Sequence, residues 1–296
     1  SVDTGGIFSL FGAPAAGGRM SRAYRPGITV HCRIRNEERF VRAAITGILP
    51  LAERVMVYDT GSTDRTLDEV QAVGSPKVEL VRLGRMTPPE LTALRNLMAD
   101  RTETEWYMIV DGDEIYPADA ARRVVEELAA VPPTVHRLLV RRVHFVESFH
   151  FVSPPDRIGR IFRTGKIRRG IAAKVGQVGH ETPYLVDAPE TPWSRYSMTL
   201  SPSVRFFHCH YLRRSAEDGQ MGRLRGWRKV PFPVRPFFGP WPDSLAEARE
   251  SAPPPSAVAE CLRLNVWLAW QRSRHVGWMP GVWRLRSWPP KDLFIP

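Results

Sequence analysis

The sequence predicts an α/β protein with a doubly wound, mostly parallel sheet. Between residues 27 and 131, short apolar stretches alternate four times with longer stretches of helical periodicity. Strands separated by helices in this way pair in parallel, with helices on both faces of the sheet. In addition, polar or acidic residues follow the first, second and fourth apolar stretches. Because the carboxyl ends of parallel strands border the ligand crevice of such sheets, the pattern also predicts a site.

Local signals define the elements of this region. Asn36 is predicted to cap the first helix, with Glu37 and Glu38 in a first turn where the helix dipole favours acid. A Pro-Pro pair opens the third helix and another pair stops the fourth. In chain order, the predicted elements are strand 28–33, helix 36–49, strand 54–58, helix 65–73, strand 78–83, helix 88–100, strand 106–110 and helix 117–130.

The pattern changes after residue 134. Strands are predicted at 135–146, 158–163 and 203–212, and a helix is predicted at 257–273. The stretch 231–242 carries five prolines and four aromatic residues, which excludes long regular structure. We therefore expect a flexible N-terminal arm over 1–26, a catalytic domain over 27–213, and a basic, aromatic and proline-rich extension over 214–296.

The chain is strongly basic. Its 296 residues carry a net charge of +11, and 37 of the 42 basic residues are arginine. This balance predicts anionic partners such as nucleic acid, acidic lipid or a phosphorylated substrate, although a GC-rich genome would also enrich arginine. Three widely spaced cysteines form no disulfide or zinc pattern, which indicates a reducing compartment. Neither a spanning segment nor a signal peptide is recognised, so a cytoplasmic protein is expected, peripheral to a membrane in one alternative.

Three carboxylates follow the fourth strand, at Asp111, Asp113 and Glu114. An Asp-x-Asp pair there can hold a hard divalent cation, and the cation can hold a diphosphate. Glu114 has an alternative role in opening the next helix. Asp59 follows the second strand, where a carboxylate can accept hydrogen bonds from a ribose, although ordinary turn chemistry also favours Asp. No glycine-rich phosphate loop is present, so metal and arginine would hold the phosphates.

Four motifs in order resemble family 2 glycosyltransferases of the GT-A fold. They are Asn-Glu-Glu at 36–38, Asp-Thr-Gly-Ser-Thr-Asp-x-Thr at 59–66, Arg-Asn at 95–96, and Asp-x-Asp-Glu at 111–114. Weaker similarity continues through Gly-His-Glu at 179–181 and His-x-His-Tyr-x-Arg at 208–213. The resemblance implies a GT-A, Rossmann-like fold and transfer of a hexosyl group from a nucleotide-diphosphate sugar to a hydroxyl acceptor. UDP is one candidate nucleotide.

The resemblance also implies residue roles. Asp113 would bind Mn²⁺ or Mg²⁺, and Asp111 would contact the ribose or a metal-bound water. Inversion at the anomeric carbon would need a base, and Glu181 is the candidate, although a loop glutamate is also commonplace. The implied donor-binding residues are Asn36, Glu37, Asp59, Arg95 and Asp111, with Glu37 alternatively a first-turn helix acid.

His208 and His210 project from one face of a predicted strand, while Cys209 and Tyr211 project from the other. His208 is the preferred additional metal ligand and His210 the alternative, and an imidazole ligand would favour Mn²⁺. A purely structural role for both histidines stays open.

The arginine- and aromatic-rich stretch 205–241 is compatible with a solvated surface, a membrane-facing surface or a nucleic-acid groove. The acceptor is accordingly left open between DNA with a modified base and an envelope or lipid-linked glycan. A catalytically silent GT-A-like module that binds nucleic acid is the alternative of another class.

Overall fold

The computed structural model describes residues 23–171, 181–187, 193–212, 215, 233–246, 250 and 256–273. The α-helices within them are α1 (Val41–Ile48), α2 (Thr66–Gln71), α3 (Pro88–Asp100), α4 (Ala118–Leu128) and α5 (Ala257–Ser273). The strands are β1 (Arg25–Ile34), β2 (Arg54–Thr60), β3 (Val78–Leu83), β4 (Thr104–Ile109), β5 (Glu114–Ile115), β6 (Arg137–Val146), β7 (Ser148–Val152), β8 (Asp156–Arg163), β9 (Ile167–Ile171), β10 (Glu181–Leu185), β11 (Ser197–Thr199), β12 (Arg205–Tyr211) and β13 (Arg235–Pro236).

The strands form a mixed central sheet with the order β13-β7-β6-β8-β4-β1-β2-β3. The β3, β2, β1 and β4 strands are parallel neighbours, as the alternating pattern predicts. Beyond β4 the sheet continues through antiparallel β8 and β6. Strand β12 joins β6 in parallel and β5 in antiparallel fashion, and β9 with β10 forms a separate hairpin. This architecture is the α/β, GT-A type of sheet that the motifs imply.

Side-chain alternation along β1 and β4 divides the sheet into two differently packed faces. On one face, Val30 and Met108 are fully buried in the main apolar cluster. On the other face, His31 stacks on Tyr107 with ring centroids 4.6 Å apart, and His31 Nε2 lies 2.7 Å from the Thr102 hydroxyl just beyond α3. The second face is therefore partly polar beneath α3, and this polarity continues toward the carboxyl ends of the strands.

The predictions for β3, α3 and α5 are confirmed to the residue. The predicted helix cap at Asn36 is wrong, because the first helix begins at Val41 and its N-cap position is Phe40. Asn36 has a φ of +52°, in the left-handed region. Asparagine tolerates this conformation, which turns the chain sharply after β1 rather than starting a helix.

Glu114 does not open the following helix, which begins at Ala118 after Pro117. Instead Glu114 and Ile115 form β5 and pair with His208 and Phe207 of β12. The alternative helix-opening role is therefore wrong. The consequence is that β12 lies directly against the acidic turn after β4.

Strand β1 begins at Arg25, so the chain is already in the sheet two residues before the expected start of the catalytic domain. Residues 1–22 of the expected arm, residues 172–180 of the glycine-rich stretch and most of 213–232 lie outside the described residues. Every helix in the described ranges falls short of the length and apolarity needed to span a bilayer.

Candidate active site

Turns from the ends of β1 and β2 are tied together at the edge of the parallel sheet. The Asn36 backbone N–H donates to the Ser62 hydroxyl across 3.0 Å, and Thr63 N–H donates to the Asn36 side-chain carbonyl across 2.9 Å. The Glu37 N–H donates to the Thr66 hydroxyl across 2.7 Å. Asn36 and Glu37 therefore hold the second-strand turn in place, in addition to any contact with a ligand.

Asp59 is buried at the end of β2, and its carboxylate lies within its own turn. It accepts hydrogen bonds from the backbone N–H groups of Gly61 and Ser62, each across 3.2 Å, and from the Ser62 hydroxyl. Asp in such turns commonly caps its own backbone in this way. The arrangement fixes the direction of the Asp59 carboxylate at the crevice edge.

Glu37 packs beneath the turn that follows β4. A Cβ atom at Gly112 would lie 2.8 Å from Glu37 Cγ and 3.2 Å from Ile34 Cγ2, closer than nonbonded carbon atoms normally approach. Glycine at position 112 therefore allows the turn carrying Asp111 and Asp113 to sit directly on the end of β1. The spacing of the Asp-Gly-Asp motif has a packing reason as well as a chemical one.

Two arginines hold the Asp111 carboxylate. Arg95 Nη2 donates to Oδ1 across 3.0 Å, and Arg160 Nη2 donates to Oδ2 across 3.1 Å. Burial favours the neutral acid, but the guanidinium groups of Arg160 and Arg95 outweigh it and lower the pKa of Asp111. Asp111 is consequently an oriented anion at neutral pH.

Arg160 also contacts Glu114, whose side chain is fully buried. Burial raises the pKa of the Glu114 carboxyl, and the Arg160 guanidinium opposes that rise. Arg160 thus joins β8 to the acidic turn through two carboxylates. Sequence reasoning missed Arg160, and one arginine among 37 in the chain carries no signal of its own.

Asp113, His208 and His210 form a compact cluster of metal-ligand atoms. One ligand atom from each residue lies within 4.8 Å of the other two, and His208 Nε2 is 3.3 Å from Asp113 Oδ1. A backbone hydrogen bond also holds the Asp113 turn against β12, because Cys209 N–H donates to the Asp113 carbonyl across 2.8 Å. Burial disfavours the imidazolium, but Asp113 outweighs burial and raises the pKa of His208.

His144 of β6 lies behind this cluster and was not predicted as a site residue. Its ring centroid is 4.8 Å from that of His208 and 5.1 Å from that of Tyr211. Burial and the neighbouring His208 lower the pKa of His144 to about 3, so this ring is neutral. A neutral buried ring supports His208 without adding charge beside the cluster.

The remaining predicted residues lie around the β9–β10 hairpin. Arg95 and Asn96 follow one another on α3, and Asn96 binds the backbone of Arg169 on β9. Glu181 is the first residue of β10 and its backbone pairs with Ile171, while His180 and Arg213 lie outside the described residues. Eight of the nine predicted site residues at positions 36 to 210, all but Glu181, have side chains that the structure describes.

This sheet, with an acidic turn at the end of its fourth parallel strand and two arginines on Asp111, defines a GT-A glycosyltransferase. Residues 30–187 match the glycosyl transferase family 2 domain, and the chain belongs to that family. The members of this family are glycosyltransferases.

Similar solved structures cover a limited part of the chain. One is a mycobacterial protein, with 21% identity and a TM-score of 0.32 over 40% of this chain and 41% of that one. Another is glucosyl-3-phosphoglycerate synthase from Mycobacterium tuberculosis in complex with Mn²⁺, UDP and glucosyl-3-phosphoglycerate, with 21% identity and a TM-score of 0.31 over 40% and 44%. The match spans less than half the length of each of these chains. No curated protein matches the sequence.

Proposed function

We propose that this protein uses a divalent cation, Mn²⁺ or Mg²⁺, to transfer a hexosyl group with inversion from a nucleotide-diphosphate sugar to a hydroxyl acceptor. The observation that carries the proposal is the cluster of Asp113, His208 and His210. Asp113 follows the oriented carboxylate of Asp111 by two residues. Asp113 lies in the turn directly before β5 and the two histidines lie on β12, so the backbone pairing of β5 with β12 gives the cluster a rigid base.

The donor set fits a single divalent cation. Carboxylate oxygen and imidazole nitrogen both bind first-row divalent metals, and the two imidazoles favour Mn²⁺ over Mg²⁺. A bound cation would supply neutralisation of the charge that develops on the departing nucleoside diphosphate. In this proposal Asp113 and His208 are the ligands, with His210 as the alternative to His208. The mutual spacing is compatible with all three binding together.

The donor nucleotide would lie along the carboxyl ends of β1, β2 and β4. Asp59 lies at the end of β2 and would accept hydrogen bonds from the base or ribose. Asp111 would bind the ribose, and Arg95 beside it would pair with the diphosphate. Asn36 and Glu37 would complete the donor site from the β1 turn. Their bonds to Ser62, Thr63 and Thr66 support this role by fixing the position of the β2 turn.

The proposed general base is Glu181. During transfer, the acceptor oxygen forms a bond to the anomeric carbon while the bond from that carbon to the diphosphate oxygen breaks. The acceptor proton passes to the Glu181 carboxylate, and the bonding electrons leave with the nucleoside diphosphate. Glu181 begins β10 two residues before Pro183, which lines a cavity beside Asp111, and this position supports the assignment.

The test is a thermal-shift screen of nucleotide sugars with and without Mn²⁺. A bound donor should raise the melting temperature by mass action, and Mn²⁺ should increase the rise. Label from that donor would then be followed onto small-molecule, lipid-linked and DNA acceptors. If no nucleotide sugar stabilises the protein or donates label, or if excess chelator leaves transfer unchanged, the proposal fails. A silent nucleic-acid binder would instead bind DNA without Mn²⁺ and lose affinity log-linearly with salt.

The proposed catalytic domain spans residues 27–213 with 1–26 as an arm and 214–296 as an extension that shapes the acceptor site. We further propose a cytoplasmic location.

A further inference from the structure

A cavity of about 500 Å³ opens on the α3 side of the sheet, next to Asp111. It is lined by residues of α3, of the strands β1, β4, β6 and β8, and of the β9–β10 hairpin. Among the described residues, its charged lining consists of five arginines and a single carboxylate: Arg33, Arg95, Arg137, Arg160, Arg169 and Asp111. Asp111 and the adjacent Glu114 offset part of this charge through Arg95 and Arg160, but five guanidinium groups against two acids leave the interior positive.

Protein contacts hold several of these guanidinium groups in place. Arg33 Nη1 donates to the Leu91 carbonyl across 3.1 Å, and Arg137 Nε donates to the Ser197 hydroxyl across 3.0 Å. The Arg169 guanidinium carbon lies 5.2 Å from the centroid of the Phe162 ring. These contacts come from separate elements, so the groups converge from different sides. Such preorganisation lowers the entropic cost of binding an anion.

The cavity is distinct from the proposed cation cluster. Glu114 lies between the two, because it contacts Arg160 on the cavity side and pairs through its backbone with His208 on the other. The proposed donor site shares Asp111 and Arg95 with the cavity lining, and a donor diphosphate there would already have a divalent cation and Arg95 to balance its charge. Arg137 and Arg169 belong to β6 and β9 rather than to the turns that border the nucleotide site. Their charge therefore suits a second anion.

We propose that this cavity binds the acceptor and that the acceptor is a small hydroxyl compound carrying a phosphate or carboxylate group. This inference rests on the proposed function, since it assigns the acceptor of the same reaction. The volume lies within the range of small-ligand sites and is too small for duplex DNA. Arginine binds phosphate and carboxylate in the same bidentate manner, so either group satisfies the chemistry.

The test compares glycerol phosphate, glycerate and glycerol, which share a three-carbon hydroxyl skeleton and differ in charge. Binding is measured by titration calorimetry, with and without a saturating UDP sugar and Mn²⁺. We expect glycerol phosphate or glycerate to bind and glycerol not to bind. Arg137→Gln and Arg169→Gln should each lower the affinity for the anion about tenfold, as expected for loss of one charge-assisted hydrogen bond. Which of the two anions binds more tightly distinguishes phosphate from carboxylate.

Two further variants separate local from global effects. Arg157→Gln removes the same charge from an exposed position on β8 and should leave anion affinity unchanged. Gly159→Ala keeps the charge, but its Cβ would lie 2.8 Å from Arg137 Cδ and would displace that side chain. It should weaken anion binding as Arg137→Gln does.

Three results would overturn the assignment. They are equal binding of glycerol and the anions, equal losses in Arg157→Gln and Arg137→Gln, and competition between the anion and the UDP sugar. The last result would place the donor diphosphate in the cavity. Each leaves donor binding with Mn²⁺ intact, whereas failure of the proposed function would appear as no donor binding at all.

Discussion

Asn96 and Arg169 exchange two hydrogen bonds that join α3 to β9. The Asn96 side-chain amide donates to the Arg169 carbonyl across 3.0 Å, and the Arg169 N–H donates to the Asn96 side-chain carbonyl across 2.9 Å. The preceding residue, Arg95, donates to Asp111 from the same helix. Consecutive residues of α3 therefore position the carboxylate at the end of β4 and the strand that carries Arg169.

Replacing Asn96 with leucine should remove both bonds while keeping a similar volume. The unpaired backbone groups of Arg169 would then cost about 1–3 kcal/mol of stability. Because the β9–β10 hairpin pairs mainly with itself, its displacement should also raise the KM for acceptor. Thermal unfolding and steady-state kinetics would measure the two effects.

Asn265 offers a matched control. Its amide makes the same pair of bonds to the backbone of Val234, each across 2.7 Å, in a different part of the chain. Asn265→Leu should cost a similar free energy of unfolding without displacing the β9–β10 hairpin, so its effect on the KM for acceptor should be smaller than that of Asn96→Leu. An equal rise of KM in both variants would show that general destabilisation, rather than the position of Arg169, controls acceptor binding.

Asp113→Asn should lower transfer activity at least a hundredfold and weaken Mn²⁺ binding, because the amide removes the anionic ligand while keeping its shape. Turnover and Mn²⁺ titration would measure these losses, and circular dichroism would check the fold. Asp119→Asn makes the same chemical change at an exposed position on α4 and should behave as wild type. Full activity of Asp113→Asn would exclude the metal role of this carboxylate.

Gly112→Ala should reduce activity by shifting Asp111 and Asp113 away from the end of β1. The added methyl would lie 2.8 Å from Glu37 Cγ. The shifts that relieve such overpacking cost about 1–3 kcal/mol of folding stability. Gly84→Ala is the control, because no atom of the described residues lies within 4 Å of a Cβ built there. Unfolding and activity assays should show losses for Gly112→Ala and none for Gly84→Ala. Wild-type turnover by Gly112→Ala would show that the turn tolerates displacement.

The free energy of unfolding should depend on pH through Glu147, which lies in the turn between β6 and β7. Its Oε1 atom is buried and has no hydrogen-bond partner among the described residues, and burial raises the pKa of this carboxyl from 4.5 to about 7. The folded state thus holds this proton more tightly than the unfolded state. The contribution of this carboxyl to the free energy of unfolding is complete below pH 4.5 and is lost as the pH rises to about 7.

Glu147→Gln keeps the side-chain shape and cannot ionise, so it should lack this component of the pH dependence. Denaturant unfolding at several pH values would show wild type losing stability relative to the variant between pH 4.5 and about 7. Parallel curves for the two proteins over that interval would contradict the assignment.

Local signals in the sequence predicted the order of elements up to α4. Each strand there is a short apolar run, and α3 carries its own start signal of Thr87, two prolines and Glu90. The positions of Asp59, Asp111 and Asp113 at strand ends followed from the same runs. Such features depend on neighbouring residues, and a linear reading therefore detects them. The Asn36 prediction failed because the turn conformation at this residue depends on its bonds to Ser62 and Thr63.

Tertiary structure alone decided which distant residues meet at the acidic turn. The pairing of β5 with β12 brings His208 to Asp113 and buries Glu114, while β8 delivers Arg160 to the same carboxylates. These contacts join positions 46 to 95 residues apart, and no local periodicity specifies such pairing. By itself, the sequence determined an α/β enzyme of the glycosyltransferase class with carboxylates at its strand ends. The long-range strand pairing determined the histidine cluster and the arginine-lined cavity, because both are assembled from strands that only the folded sheet places side by side.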